Sequence, residues 1–201
     1  SWRVGDEGLV VYGAQRVSEG ALPYRDFVEV FGPASFYWIG LFFSLLGPTW
    51  VVVRGLLLVT GAITAALIYW MTRRLYRGPF DTIPAVFVLM MGIPLWPASS
   101  HHWDSILLAL LALGSFSLWQ DRGGNGYLFL AGALAGLTSC AVQQKGLLLL
   151  VALALSLILG HRQRPGNRKA LLAQGGCLVA GYAAVGGLVV LFFYARGGLP
   201  E

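Results

Sequence analysis

Charge is what this chain of 201 residues has least of. Asp, Glu, Lys and Arg together make up 11% of it, under half the share of an ordinary soluble domain. That shortage excludes a protein whose surface is mostly in water. Cysteine is nearly missing as well. Cys140 and Cys177 both sit inside apolar runs, where a buried free thiol is the simple reading. Histidine occurs three times, and the adjacent His101 and His102 cannot easily face one ion together. With no third ligand at a suitable spacing, no metal site is expected. The net charge of +5 does not point to nucleic acid, because the basic residues are sorted by loop. There is no initiator Met, no leader at the start and no natural stop at the end. The expectation is a piece of a longer chain that lacks at least one upstream spanning helix.

What the chain has in place of charge is apolar length. It is 57% hydrophobic and carries 27 glycines, many within apolar runs, where membrane helices use them for close backbone packing. The fold class expected is an all-α polytopic membrane protein, with 1–201 forming a single membrane domain. Residues 50–72 are long enough to cross and end in Arg73-Arg74-Leu75-Tyr76-Arg77. A second span is expected over 82–98, kinked by Pro84, Pro94 and Pro97. Shorter runs follow at 105–119, 127–142 and 146–160, and a long one at 170–195, giving about six membrane helices over 50–195. The 34–46 run is too short to span, and Pro33 and Gly47-Pro48 bracket it. It is expected to be an interfacial helix.

The polar exception is 1–33, which holds five of the nine acidic residues. Val10, Ala14, Val17 and Ala21 recur at helical spacing, so roughly 7–20 should be an amphipathic helix with its apolar face down. Gln15, Arg16, Ser18 and Glu19 should then face water, and Pro23 and Gly32-Pro33 should force turns. The stretch reads as a structured loop resting on a membrane, with Asp6 and Glu7 at the start of its helix.

Charge sorting orients the layout. The loops 73–77, 81, 120–125 and 161–169 contain eight basic and two acidic residues; the set 1–33, 99–104, 143–145 and 196–201 contains five basic and seven acidic. The first set should be cytoplasmic. The alternation works only if 34–46 does not cross, and then Asp6, Glu7, Asp104 and Lys145 share the outer face.

Those residues form the minimal set for moving a sugar from a lipid-linked phosphate to a hydroxyl. The attacking oxygen must lose a proton, so one carboxylate is needed as general base. The leaving phosphate is already a stable anion and needs positive charge beside it. Each residue also has a plainer reading. Asp6 is a good N-cap, Glu7 in the first turn complements the helix dipole, and Lys145 can be a snorkelling anchor. Arg54 stands a few residues into a span, where a charge is costly and usually faces a cavity or a partner.

The order Asp6-Glu7-Gly8, Ala14-Gln15-Arg16, Gly20, Pro23-Tyr24-Arg25-Asp26-Phe27, Gly32-Pro33 and Phe36-Tyr37-Trp38 resembles the integral-membrane GT-C glycosyltransferases. So do Leu45-Leu46-Gly47, Val53-Arg54, the run from Tyr69 to Leu75, Ala131 to Thr138, and Gln144-Lys145-Gly146. The likeness is strongest to the branch of protein O-mannosyltransferases, lipid A aminoarabinose transferases and rhizobial galacturonosyltransferases. It implies a GT-C-like helical bundle whose outer-face loop carries amphipathic interfacial helices. It also implies a catalytic aspartate at Asp6, with Glu7 and Asp104 beside it, and donor-phosphate contacts from Lys145 and Arg54. Tyr24, Arg25, Asp26 and His102 would support the acceptor or the loop. The partners implied are a polyprenyl-phosphate-linked sugar, a lipid, glycan or protein acceptor, and membrane lipids, without a cofactor. The location implied is the cell membrane, with the active face outside the cytoplasm. The competing reading is a multi-spanning transporter or flippase-like protein that binds its substrate through outer carboxylates.

Overall fold

The computed structural model of the chain describes residues 6–29, 32–163 and 167–197; the side chains of Asp6 and Gln163 are outside that description. The described residues are helical almost throughout, and their one β pairing is an isolated bridge between Pro23 and Phe27. The helices are α1 (Asp6–Ser18), α2 (Ala34–Leu46), α3 (Trp50–Leu75), α4 (Ile83–Phe87), α5 (Ile93–Leu95), α6 (His101–Arg122), α7 (Asn125–Ala141), α8 (Gln143–Gln163) and α9 (Arg168–Ala195). A π-helical turn, Val88–Gly92, joins α4 to α5. Four of these helices, α3, α6, α8 and α9, are long and apolar enough to cross a membrane. The chain divides into two compact units, Ser1–Leu107 and Leu108–Leu199, with the boundary inside α6.

In the first unit, α3 begins at an N-cap. The Thr49 hydroxyl accepts the Val52 N–H at 3.4 Å, satisfying one of the orphan donors of a helix start. The helix ends with Arg73 and Arg74 in its last turn, where the dipole favours cations. Its 26 residues rise about 39 Å, more than the roughly 30 Å of hydrocarbon in a bilayer. α1 and α2 lie against each other and against the start of α3. Val10, Val11 and Ala14 meet Phe36, Ile39 and Phe43, and Val53 and Leu56 close the cluster. The apolar face of α1 is thus covered by protein, and the bulky exposed side chains on its other faces are Leu9 and Tyr12. Gly13 makes this packing possible, because a Cβ there would sit 2.8 Å from the Phe36 ring. Ala21 falls beyond the end of the helix.

The segment expected to cross at 82–98 is a shorter, broken helical run, Ile83–Leu95. Pro84 stands at its first turn, where a missing N–H costs nothing. Pro94 acts differently. Its ring would meet the carbonyl four residues back, and it has no N–H to offer there. The ladder widens just before it, and the Ile93 N–H reaches the Val88 carbonyl in a π-helical bond. Although short, the run returns beside α3: Arg73 faces Asp81 at one end at 3.9 Å, and Arg54 reaches the Pro97 carbonyl at the other.

The second unit is built on glycines. Any Cβ on Gly132 would overlap the Leu178 carbonyl, and one on Gly181 would overlap the Phe129 carbonyl. α7 and α9 therefore touch backbone to backbone, the close approach that small residues allow between membrane helices. The Ser139 and Tyr182 hydroxyls bridge the same pair at 2.8 Å. α8 folds back along α7 after a single residue, Val142, and Gly146 fits against Ala135 and Ser139. Phe116, Leu128, Ala131, Leu153, Leu157 and Leu178 fill the core.

The helices run past the expected bounds at several ends, and two of the displaced starts carry candidate residues. Residues 101–104, expected in a loop, are the first turn of α6, and 143–145 are the first turn of α8. Polar residues hid both starts, because hydropathy counts their cost and not the bonds that offset it.

Candidate functional site

Glu7 is a buried, well-anchored acid of the first unit. It is 8% exposed, and a buried carboxylate is costly unless charge and hydrogen bonds surround it. Three donors do so. Arg54 presents Nη1 to Oε1 at 2.8 Å and Nη2 to Oε2 at 3.1 Å, the two-pronged geometry that suits guanidinium to carboxylate. The Ser99 N–H donates to Oε1 at 2.9 Å. Arg54 also donates to the Pro97 carbonyl and lies over the Trp50 ring, 5.5 Å from its centroid. The partner expected for Arg54 is therefore Glu7, joined by a backbone carbonyl.

Asp104, in the first turn of α6, accepts the Ser35 hydroxyl on Oδ2 at 2.6 Å. Ser35 itself is buried, so the N-terminal turns of α2 and α6 are tied together. Ser99 and Asp104 are five positions apart along the chain. The Glu7 tie and the Ser35 tie thus hold the two sides of one short stretch, 97–104. Asp6 opens α1 directly before Glu7; its side chain lies outside the described residues. His101 is buried and His102 half-buried, with ring centroids 4.2 Å apart. Among the described residues no group of three His, Cys, Asp or Glu side chains is arranged to hold a metal.

The turn at 22–27 is held from within. Asp26 accepts the Leu22 N–H at 2.8 Å and both Nε and Nη2 of Arg25, at 2.8 and 2.9 Å. The Arg25 hydrogen bond, then the Leu22 N–H, pull its carboxyl down to about 2 from the usual 3.8. Tyr24 takes a positive φ of 70° there, and its N–H bonds the Phe27 carbonyl at 2.9 Å. Phe27 then stacks edge-on against Phe36 of α2. Lys145 stands in the second unit, third in α8 and half-buried.

Sequence reasoning did not single out Ser35, Ser99 or the Pro97 carbonyl. A faint signal existed for Ser99. Small polar residues directly after a proline-broken apolar run are natural donors for an acid that must be buried nearby. Ser35 carried none, because nothing local links it to a residue 69 positions away. No protein-family model, no curated protein and no solved structure matches the chain.

Proposed function

We propose that the chain is the core of a membrane glycosyltransferase that moves a sugar from a polyprenyl-phosphate donor to a hydroxyl acceptor on the outer face, with inversion. Asp6 takes the proton from the acceptor hydroxyl as its oxygen bonds the anomeric carbon. The bond from that carbon to the phosphate oxygen breaks, and the lipid phosphate leaves with the electron pair. Asp104 orients the acceptor. Lys145, the candidate supplied by the resemblance to GT-C enzymes, offsets the phosphate charge. Glu7 is a positioning residue, since its lone pairs are already engaged by Arg54 and Ser99.

The observation that carries this reading is the Glu7–Arg54–Ser99 tie. It fixes the first turn of α1, where Asp6 begins the helix, to the chain that leads into Asp104 within five residues. Charge distribution in the helices agrees with it. Each Asp, Glu, Lys and Arg in α3, α6, α8 and α9 falls within the first five or last three residues of its helix. A transporter's binding charges belong near the bilayer midplane.

The test is sugar transfer from a polyprenyl-phosphate donor by the full-length protein, run beside thermal unfolding of the same preparations. Asp6→Asn should lower turnover by about 10²- to 10⁴-fold, the usual loss with a general base, with an unchanged melting temperature. Near-normal turnover would reduce Asp6 to a helix cap.

A further inference from the structure

At the other end of α3 lies a second polar assembly that the transfer reading does not use. Tyr69, Trp70, Arg73, Arg74 and Arg77, with Gly78 and Asp81, line a cavity of about 790 Å³. That volume lies within the range of small-molecule sites, roughly 300–1,000 Å³. Three guanidinium groups and one carboxylate are among its lining, so the formal charge of that lining is positive. Two of the arginines, Arg73 and Arg74, are held in place before any ligand arrives. Arg73 donates to the Tyr69 hydroxyl at 2.6 Å, lies 5.8 Å from the same ring's centroid and approaches Asp81 at 3.9 Å. Arg74 lies over Trp70 at 5.7 Å. Stacking of this kind restricts a long side chain, so less freedom is lost on binding.

We infer that this cavity binds the phosphate of an anionic membrane lipid. Guanidinium matches phosphate in two-pronged geometry and carries its charge at every physiological pH. The membrane is the source that the surroundings favour. Arg73 and Arg74 form the last turn of a helix long enough to cross, so the cavity opens at headgroup level. Leu75, Phe80 and Ile83 beside it are exposed and give acyl chains an apolar surface. Anionic lipids also collect where basic residues flank spanning helices. The inference is independent of the transfer reading, since it involves none of Asp6, Glu7, Asp104 or Lys145.

The experiment compares retention of phosphatidylglycerol and phosphatidylcholine by native mass spectrometry. The full chain is taken from vesicles holding equal amounts of the two lipids. Wild type should retain phosphatidylglycerol at least fivefold over phosphatidylcholine. Arg74→Gln/Arg77→Gln should lose that preference, while Asp81→Asn, which deletes the opposing charge, should strengthen it. Should the double variant fail to fold, Arg77→Gln alone, past the end of α3, should halve the preference or better. Equal retention of both lipids by wild type overturns the inference, as does an undiminished preference in a folded arginine variant. A third arm adds 10-fold excess inorganic phosphate. Continued phosphatidylglycerol retention supports a lipid site, whereas displacement by phosphate alone assigns the cavity to a soluble anion and overturns the lipid assignment.

Discussion

Replacing Glu7 with alanine isolates the tie between α1, α3 and the chain before α6 in the first unit. Two terms set the cost. The Ser99 N–H, on a residue 8% exposed, loses its acceptor, and an unsatisfied buried donor costs about 1–3 kcal/mol. The ion pair adds less than its short distances suggest, because the Arg54 side chain is 44% exposed and water screens it, leaving about 1 kcal/mol or less. The sum is about 1–4 kcal/mol, or a fall of roughly 2–16 °C in melting temperature for a chain of this size. Glu7→Gln keeps one acceptor for Ser99 and should cost about half as much. The assay is thermal unfolding in one detergent, completed as a double-mutant cycle with Arg54→Gln. A coupling energy of about 1 kcal/mol is expected between the two positions. A melting point for Glu7→Ala within two degrees of wild type, with no coupling, would refute the anchoring role. Turnover separates the alternatives further: Glu7→Gln should retain activity at temperatures where it is folded, whereas Asp6→Asn should not.

Gly181→Leu should force α7 and α9 apart. Overpacking typically costs about 1–3 kcal/mol, and the obstacle here is backbone rather than a movable side chain, so the loss should reach the top of that range in an unfolding assay. Asp26 titrates below its ordinary value when folded, so its contribution is whole above about pH 4 and lost as pH falls through about 2. An Asp26→Asn variant should flatten the pH dependence of stability over that window. Single cysteines at positions 6 and 77 should label from opposite sides of intact cells; labelling of both from outside would overturn the charge-based orientation. Ser35→Ala should lower stability by about 1 kcal/mol while sparing the Glu7–Arg54 coupling, as read in the same cycle.

Much of the helical layout was readable because membrane helices are specified by length and by where charge stops. The 34–46 run between its Gly and Pro breakers became α2 with those bounds, and 50–72 became α3 with one more turn. Arg54 was readable as a charge in need of a partner, and the acid at Glu7 stood among the candidate residues. The match between them was not readable, since 47 residues separate them and no local pattern encodes a tertiary ion pair. The start of α6 was missed for a related reason. His101, Trp103 and Ser105 are buried, yet two of them count as polar in a hydropathy window. The π-helical turn before Pro94 was likewise hidden. A proline announces a disturbance in a helix without saying whether the chain will kink, end or widen around it.

The single residue between α7 and α8 bears on how that pair of helices folds. A connection of one residue keeps the two side by side from the start, as a closed hairpin with its tip at Val142. Gly146 against Ala135 and Ser139 lets that hairpin close locally, before any distant contact forms. An epitope or a protease site grafted at Val142 should therefore lower stability in an unfolding assay, whereas the same insertion at Gly123-Gly124 lengthens an existing turn and should be tolerated.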